Sequence, residues 1–113
     1  MHELAVTQGM LSIALEHATK AGATKIMHIN LVIGEMSGIV DDSVQFYFDF
    51  VSKDTLAEGA SLNFERVPAR FRCRACQTTF SPDQRQWTCP QCGELSLEIV
   101  AGKEFLVDSI EVE

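Results

Sequence analysis

No stretch of this 113-residue chain is apolar for long enough to cross a membrane. Residues 1–20 carry charged and polar groups throughout and lack the apolar heart of a secretion signal. The reading is of a cytoplasmic chain whose thiols stay reduced, with no membrane among its partners. Internal repeats, low-complexity tracts and long linkers are missing as well. Basic residues are scarce, nine Lys and Arg against sixteen Asp and Glu, for a formal charge of -7. A surface of that sign repels phosphate backbones unless a local basic patch intervenes, which argues against a nucleic-acid partner. Catalytic groupings are absent too. Ser37 between Gly34 and Gly38 has neither nucleophile-elbow nor phosphate-loop spacing, and no acid, base and nucleophile stand together. The chain does not read as an enzyme.

Cysteine is sparse and concentrated. All four residues lie in two Cys-x2-Cys pairs, Cys73/Cys76 and Cys89/Cys92, with twelve residues between the pairs. One such turn presents two sulfurs to one side of an ion, and a second turn from a facing loop closes a tetrahedral shell with no position left for catalysis. The spacing predicts a structural zinc ribbon. A rubredoxin-like iron centre uses the same cage, but zinc is the default where no other redox feature accompanies it. Four thiolates around one Zn2+ would bring the formal charge from -7 to about -9. Thiolates held this way are not free nucleophiles. With 46% apolar residues the chain can bury one modest core, and a metal-held satellite would need little hydrophobic support of its own.

Hydrophobic periodicity orders the rest. Residues 3–19 predict a helix on the spacing of Leu4, Leu11, Leu15 and Ala18, with Val6, Met10, Ile13 and Ala14 widening the stripe and Gly22 placed for a C-terminal cap. From Lys25 to Ile33 the period changes to two, with Met27, Ile29, Leu31 and Ile33 on an apolar face of a strand. Asp41, Asp42 and Ser43 offer an acidic N-cap to a second helix carrying Val44, Tyr47, Phe48 and Val51, although Phe46, Phe48 and Phe50 also alternate like a strand. Leu62, Phe64 and Val67 mark another strand ended by Pro68, and Glu104 to Val112 a last one. The fold class is α+β, with the cysteine segment, residues 69–99, inserted between two strands of one sheet and Gly102 at its return. The two knuckles look alike only in spacing, since Gly93 follows the second pair and Gln77 the first.

The start of the chain offers a different chemistry. The Met1 α-amine, the His2 backbone nitrogen and the His2 ring nitrogen form fused chelate rings in one plane, which nickel(II) and copper(II) prefer. The fourth donor is the Glu3 backbone nitrogen, the Glu3 carboxylate or water. His17 and His28 read as surface or hydrogen-bonded histidines and are not assigned to metal.

Taken together, Met1-His2-Glu3-Leu4, the stretch Ile33-Gly34-Glu35-Met36-Ser37-Gly38-Ile39, the Phe46 to Phe50 helix, both cysteine pairs and the closing Ile110-Glu111-Val112 resemble the HypA/HybF family of nickel metallochaperones for hydrogenase maturation. The resemblance covers essentially the whole chain. It implies a nickel domain made of a three-stranded antiparallel sheet with two helices, residues 1–68 and 100–113, carrying an inserted zinc domain, residues 69–99. It implies nickel as transported cargo at Met1, His2 and Glu3, and a structural zinc at Cys73, Cys76, Cys89 and Cys92. The implied partners are the GTPase HypB, to which GTP hydrolysis would belong, and the large subunit of [NiFe]-hydrogenase, with urease and its accessory proteins in some organisms. The chain would act as a monomer or homodimer. One departure stands out: some relatives take an additional histidine ligand from the zinc domain, and residues 69–99 contain no histidine.

A rival reading comes from Arg70, Arg72, Arg74 and Arg85, which cluster in and beside the ribbon. They would suit a zinc-ribbon adaptor that binds nucleic acid or a transcription complex. Charge compensation of a dianionic metal-thiolate centre and a solvated face is the favoured explanation, because Phe71, Phe80 and Trp87 give little aromatic interleaving for base stacking and the rest of the chain is acidic.

Overall fold

The computed structural model describes residues 3–81 and 88–113. Met1 and His2, together with Arg85 and Trp87 of the arginine-rich segment, lie outside the described residues. The elements follow in the order α1 (Glu3–Lys20), β1 (Ile26–Gly34), α2 (Asp41–Val51), β2 (Ser61–Val67), β3 (Arg70–Cys73), β4 (Thr79–Phe80), β5 (Leu97–Ala101) and β6 (Phe105–Val112). Two three-stranded sheets result, one ordered β2-β1-β6 and the other β4-β3-β5.

Helix α1 ends as its sequence dictates. Gly22 takes a left-handed φ of 70°, the N–H of Ala23 reaches the carbonyl of Ala18 and that of Gly22 the carbonyl of Thr19, so the last carbonyls are satisfied locally. Its buried face is Thr7, Met10, Leu11, Ala14 and Ala18, narrower than the predicted stripe, because Leu4 and Ile13 remain exposed. The buried Thr7 hydroxyl is satisfied by the carbonyl of Glu3 at 2.6 Å.

The first sheet is mixed, which corrects the all-antiparallel arrangement implied by the resemblance. Strand β6 pairs antiparallel with β1, whereas β2 pairs parallel, with Ile29 opposite Leu62 and Leu31 opposite Phe64. The cause is the connection: α2 carries the chain back along the sheet before β2 begins, and such a crossover makes the next strand parallel. Helices α1 and α2 share one core with this sheet, centred on Ile29, Leu31 and Ile33 against Met10, Ala14, Val44 and Phe48. The predicted apolar face of β1 holds at these three isoleucine and leucine positions and fails at Met27. A bulge between Ile26 and His28 turns Ile26 inward and leaves Met27 exposed.

Helix α2 forms where the cap residues pointed, but one position earlier. Val40 is the N-cap, with an extended backbone and no side-chain cap, and Asp41, Asp42 and Ser43 fill the first turn. The alternating phenylalanines are resolved by burial: Phe48 is inside, while Phe46 and Phe50 face out.

The second sheet grows from the cysteine segment, with β3 pairing antiparallel to both β4 and β5 and β5 reaching Ala101. Phe71, buried, meets Phe80 edge to face at 6.0 Å. The chain enters and leaves this sheet through a crowded junction. A Cβ on Gly102, where φ is 107°, would lie 2.7 Å from the Cα of Ala69, and one on Gly34 would lie 2.1 Å from the Gly102 carbonyl oxygen. The backbone N–H of Met36 donates to Gly102 at 2.6 Å, that of Glu35 to Val67 at 2.8 Å, and the Glu104 carboxylate accepts from the Gly102 N–H at 2.9 Å. The loop after β1 is thereby bonded to both segments that lead into the second sheet.

Candidate metal centre

The two Cys-x2-Cys turns fold onto the same hydrogen-bond plan. In the first, the N–H of Cys73 donates to the Thr78 carbonyl and that of Gln77 to the Cys73 carbonyl; in the second, Cys89 donates to Glu94 and Gly93 to Cys89, all at 2.8–2.9 Å. Each turn passes through a left-handed residue just after its second cysteine, Gln77 at φ 67° and Gly93 at φ 76°. The likeness therefore extends from spacing to backbone, and Gln77 holds by strain a conformation that glycine adopts without it. Its side chain is anchored by a 3.2 Å bond to the Arg74 carbonyl.

This duplication brings all four sulfurs within 4.8 Å of one another, with Cys73 to Cys92 at 3.5 Å and Cys76 to Cys89 at 3.6 Å. Sulfurs on a tetrahedral zinc at 2.3 Å are about 3.8 Å apart, so the cluster fits a four-thiolate zinc site. Cys73 and Cys89, the first of each pair, are buried, while Cys76 and Cys92 face solvent. It is the one such cluster among the described residues.

The donor set also has an electrostatic need for a cation. The Thr78 hydroxyl, 3.1 Å from its Sγ, and then the Thr78 backbone hold Cys76 down at about 6. The Glu94 backbone also draws Cys92 down, but the neighbouring Cys73 side chain, burial, and Cys76 and Cys89 outweigh it and push Cys92 up to about 12. One thiol of the cluster ionises readily and another resists, as crowded like charges must; a dication among them reverses that preference and favours four thiolates.

The basic patch is partly consumed within the fold. Arg72 binds Glu98 across the sheet at 2.5 Å, and Arg70 reaches the Ser81 hydroxyl at 3.4 Å. Of the amino-terminal residues, only Glu3 is described; it opens α1, and its carbonyl is engaged by Thr7. The two set-aside histidines are where their reading put them. His17 is exposed, and His28 lies 3.4 Å from Asn63 in a polar ladder on the outer face of the first sheet, where Asn63 also donates to Asn30 at 2.8 Å and Asn30 to Ser109 at 3.0 Å. That ladder escaped the sequence reading, although alternate polar residues in β1 were its signal.

A small α+β protein with a closed four-cysteine centre, built on a sheet separate from its helical core, is the class that fold and site define. The chain belongs to the HypA family, whose profile, described as hydrogenase/urease nickel incorporation, metallochaperone, matches residues 1–112. It is 50% identical over 113 residues to the hydrogenase maturation factor HypA of Dehalococcoides mccartyi strain 195, covering all of this chain and 95% of that one. A second relative of that name, from Caldanaerobacter subterraneus subsp. tengcongensis, is 45% identical over 114 residues with both chains fully covered. Among solved structures, the nickel metallochaperone HypA of Helicobacter pylori superposes with a TM-score of 0.73 at 25% identity, covering 99% of this chain and 97% of that one.

Proposed function

We propose that this chain carries nickel(II) to [NiFe]-hydrogenase during maturation, binding it through Met1, His2 and Glu3 and holding zinc at Cys73, Cys76, Cys89 and Cys92. The observation that carries the reading is the family match over residues 1–112, running through both cysteine pairs and the amino-terminal start. Nickel sits in the plane of the Met1 amine, the His2 backbone and ring nitrogens, and a fourth donor from Glu3 or water. The first N–H groups of a helix have no intrahelical partner, so the Glu3 nitrogen at the start of α1 is uncommitted, whereas its carbonyl is taken by Thr7. A bare dication at the positive end of a helix is disfavoured by its dipole. Two deprotonated amide donors would neutralise the charge and make that placement acceptable.

Zinc, when bound, clamps the two knuckles and supplies no open coordination position. Residues 69–99 then form a metal-held unit on a nickel-carrying domain of residues 1–68 and 100–113, and the junction at Gly34, Ala69 and Gly102 links the two. HypB and the hydrogenase large subunit are the partners in this reading, with urease a further recipient.

The test is a calorimetric titration of nickel into the untagged, zinc-loaded chain and its His2→Ala variant, with zinc content measured before and after. One nickel bound by the parent and none by the variant, both retaining zinc, supports the reading; equal binding by the two removes the amino-terminal site. Protons compete for the His2 ring and the amine, so affinity should fall as pH drops through about 6.5.

A further inference from the structure

Strand β6 ends the first sheet without a neighbour. The order β2-β1-β6 places no strand beyond it among the described residues, so the backbone N–H and C=O groups on its far side are left unpaired. Along that edge α1 and β6 leave a hollow of about 210 Å³, lined by Ile13 and His17 on the helix and by residues 107–110 on the strand. Ile13, Val107 and Ile110 supply its apolar wall. Ile13 is 46% exposed, a member of the predicted core stripe of α1 that the fold does not bury. The ladder with β1 is irregular at the same place. Asn30 stands opposite Ser109 and Leu31 opposite Val107, so Asp108 is an extra residue, a bulge that re-aims its side chain. Asp108 borders the hollow and makes no ion pair or hydrogen bond among the described residues.

Backbone and charge together indicate what fits this edge. Unpaired strand groups are satisfied by another strand, and a hollow beside them takes one side chain of that strand. From Glu104 to Glu113 the chain has four carboxylates and no Lys or Arg. A second copy of β6, or any acidic strand, would meet like charge along its length. A basic segment meets none: its backbone continues the ladder, an apolar side chain fills the hollow beside Ile13, and lysine or arginine to either side faces Asp108 and Glu111. We propose that the open edge of β6 captures an extended, basic segment of another protein by strand addition, with the hollow between α1 and β6 taking one of its apolar side chains. The bulge at Asp108 interrupts the edge, so the added strand is short and the contact exchanges readily. It stands independently of the nickel reading.

Backbone amide NMR on the zinc-loaded full chain tests the edge, with a short end-capped peptide of alternating lysine and threonine and a central leucine as the probe. Shifts should concentrate on residues 105–112 with Ile13 and His17 and leave β2 unmoved, and alternate β6 amides should exchange more slowly with solvent. The same peptide with its central amides N-methylated keeps its side chains and charge but cannot pair with a strand, and should bind about tenfold more weakly. A version with glutamate for lysine should bind no better than that. Ile13→Glu, which puts a carboxylate in the apolar wall, and Asp108→Lys should each weaken the lysine peptide by about tenfold. Both positions are exposed, so zinc content and melting should match the wild type; should either variant melt early, the N-methylated peptide on the wild type decides. Absence of shifts at millimolar peptide, shifts centred on another surface, or binding that survives N-methylation overturns the proposal. Folded variants that bind like the wild type overturn it as well.

Discussion

At the scale of single residues, the two knuckles form a built-in comparison. Gln77 and Gly93 occupy equivalent left-handed positions, and glycine alone sits there without a Cβ penalty. Gln77→Gly should stabilise the zinc-loaded protein by about 0.5 kcal/mol, the relief of strain exceeding the added freedom of the unfolded chain and the lost bond to Arg74. Gly93→Ala should cost about 1 kcal/mol, and thermal denaturation of both variants decides. Gly34 and Gly102 are less forgiving, since their added Cβ atoms would strike backbone rather than movable side chains. Alanine at either position should cost roughly 3 kcal/mol or more, read as collapse of the melting transition. Cys76 carries the pH dependence. Its folded value of about 6 against an ordinary 9.0 means that its thiolate contributes stability above pH 9 that is lost as pH falls through 6.

At the scale of elements, legibility followed period and chemistry. The 3.6-residue stripe and Gly22 located α1, and the apolar alternation located β1, because both signals are local. What escaped were features set by neighbours. Met27 lost its place in the core to a bulge against β6, and the parallel pairing of β2 follows from the path of α2, which no residue in β2 records. The cysteine centre was legible in full, since ligand type and spacing are both written in the chain; the common backbone plan of the knuckles was not, because a strained glutamine looks like any other. The cap of α2 was misplaced by one residue, and this leaves room for improvement. Val40 has the extended backbone of an N-cap and is half exposed, yet has no side-chain oxygen to offer the first turn. Val40→Asp should raise stability by about 1 kcal/mol, measured by urea denaturation with zinc saturating. No gain would mean that Asp41 and Asp42 repel the new carboxylate enough to cancel the cap.

At the scale of the whole molecule, the two sheets share no strand. Four thiols, two buried and two exposed, and one aromatic pair are the main support of the second sheet, whereas the first has a continuous core from two helices and three strands. Removing zinc with a chelator should therefore erase the native amide signals of residues 70–80 and 88–101 while those of Ile29, Leu31 and Ile33 persist, and helical circular dichroism should barely change. Loss of both sets together would show that the junction makes one cooperative unit of the chain.

The pairing of β1 with β6 joins distant parts of the sequence, down to the bond between Thr24 and Glu113, 89 residues apart. During synthesis, β1 must wait for β6 with one edge open, while every strand of the second sheet has already been made. Loop closure over that span is slow compared with closure of the local cysteine turns. The order of folding should thus run against the order of the chain, with the later segment finishing first and taking up zinc before the first core is sealed. Pulsed hydrogen exchange on a refolding chain would show this as protection of Phe71 and Cys73 ahead of Leu31 and Ile33.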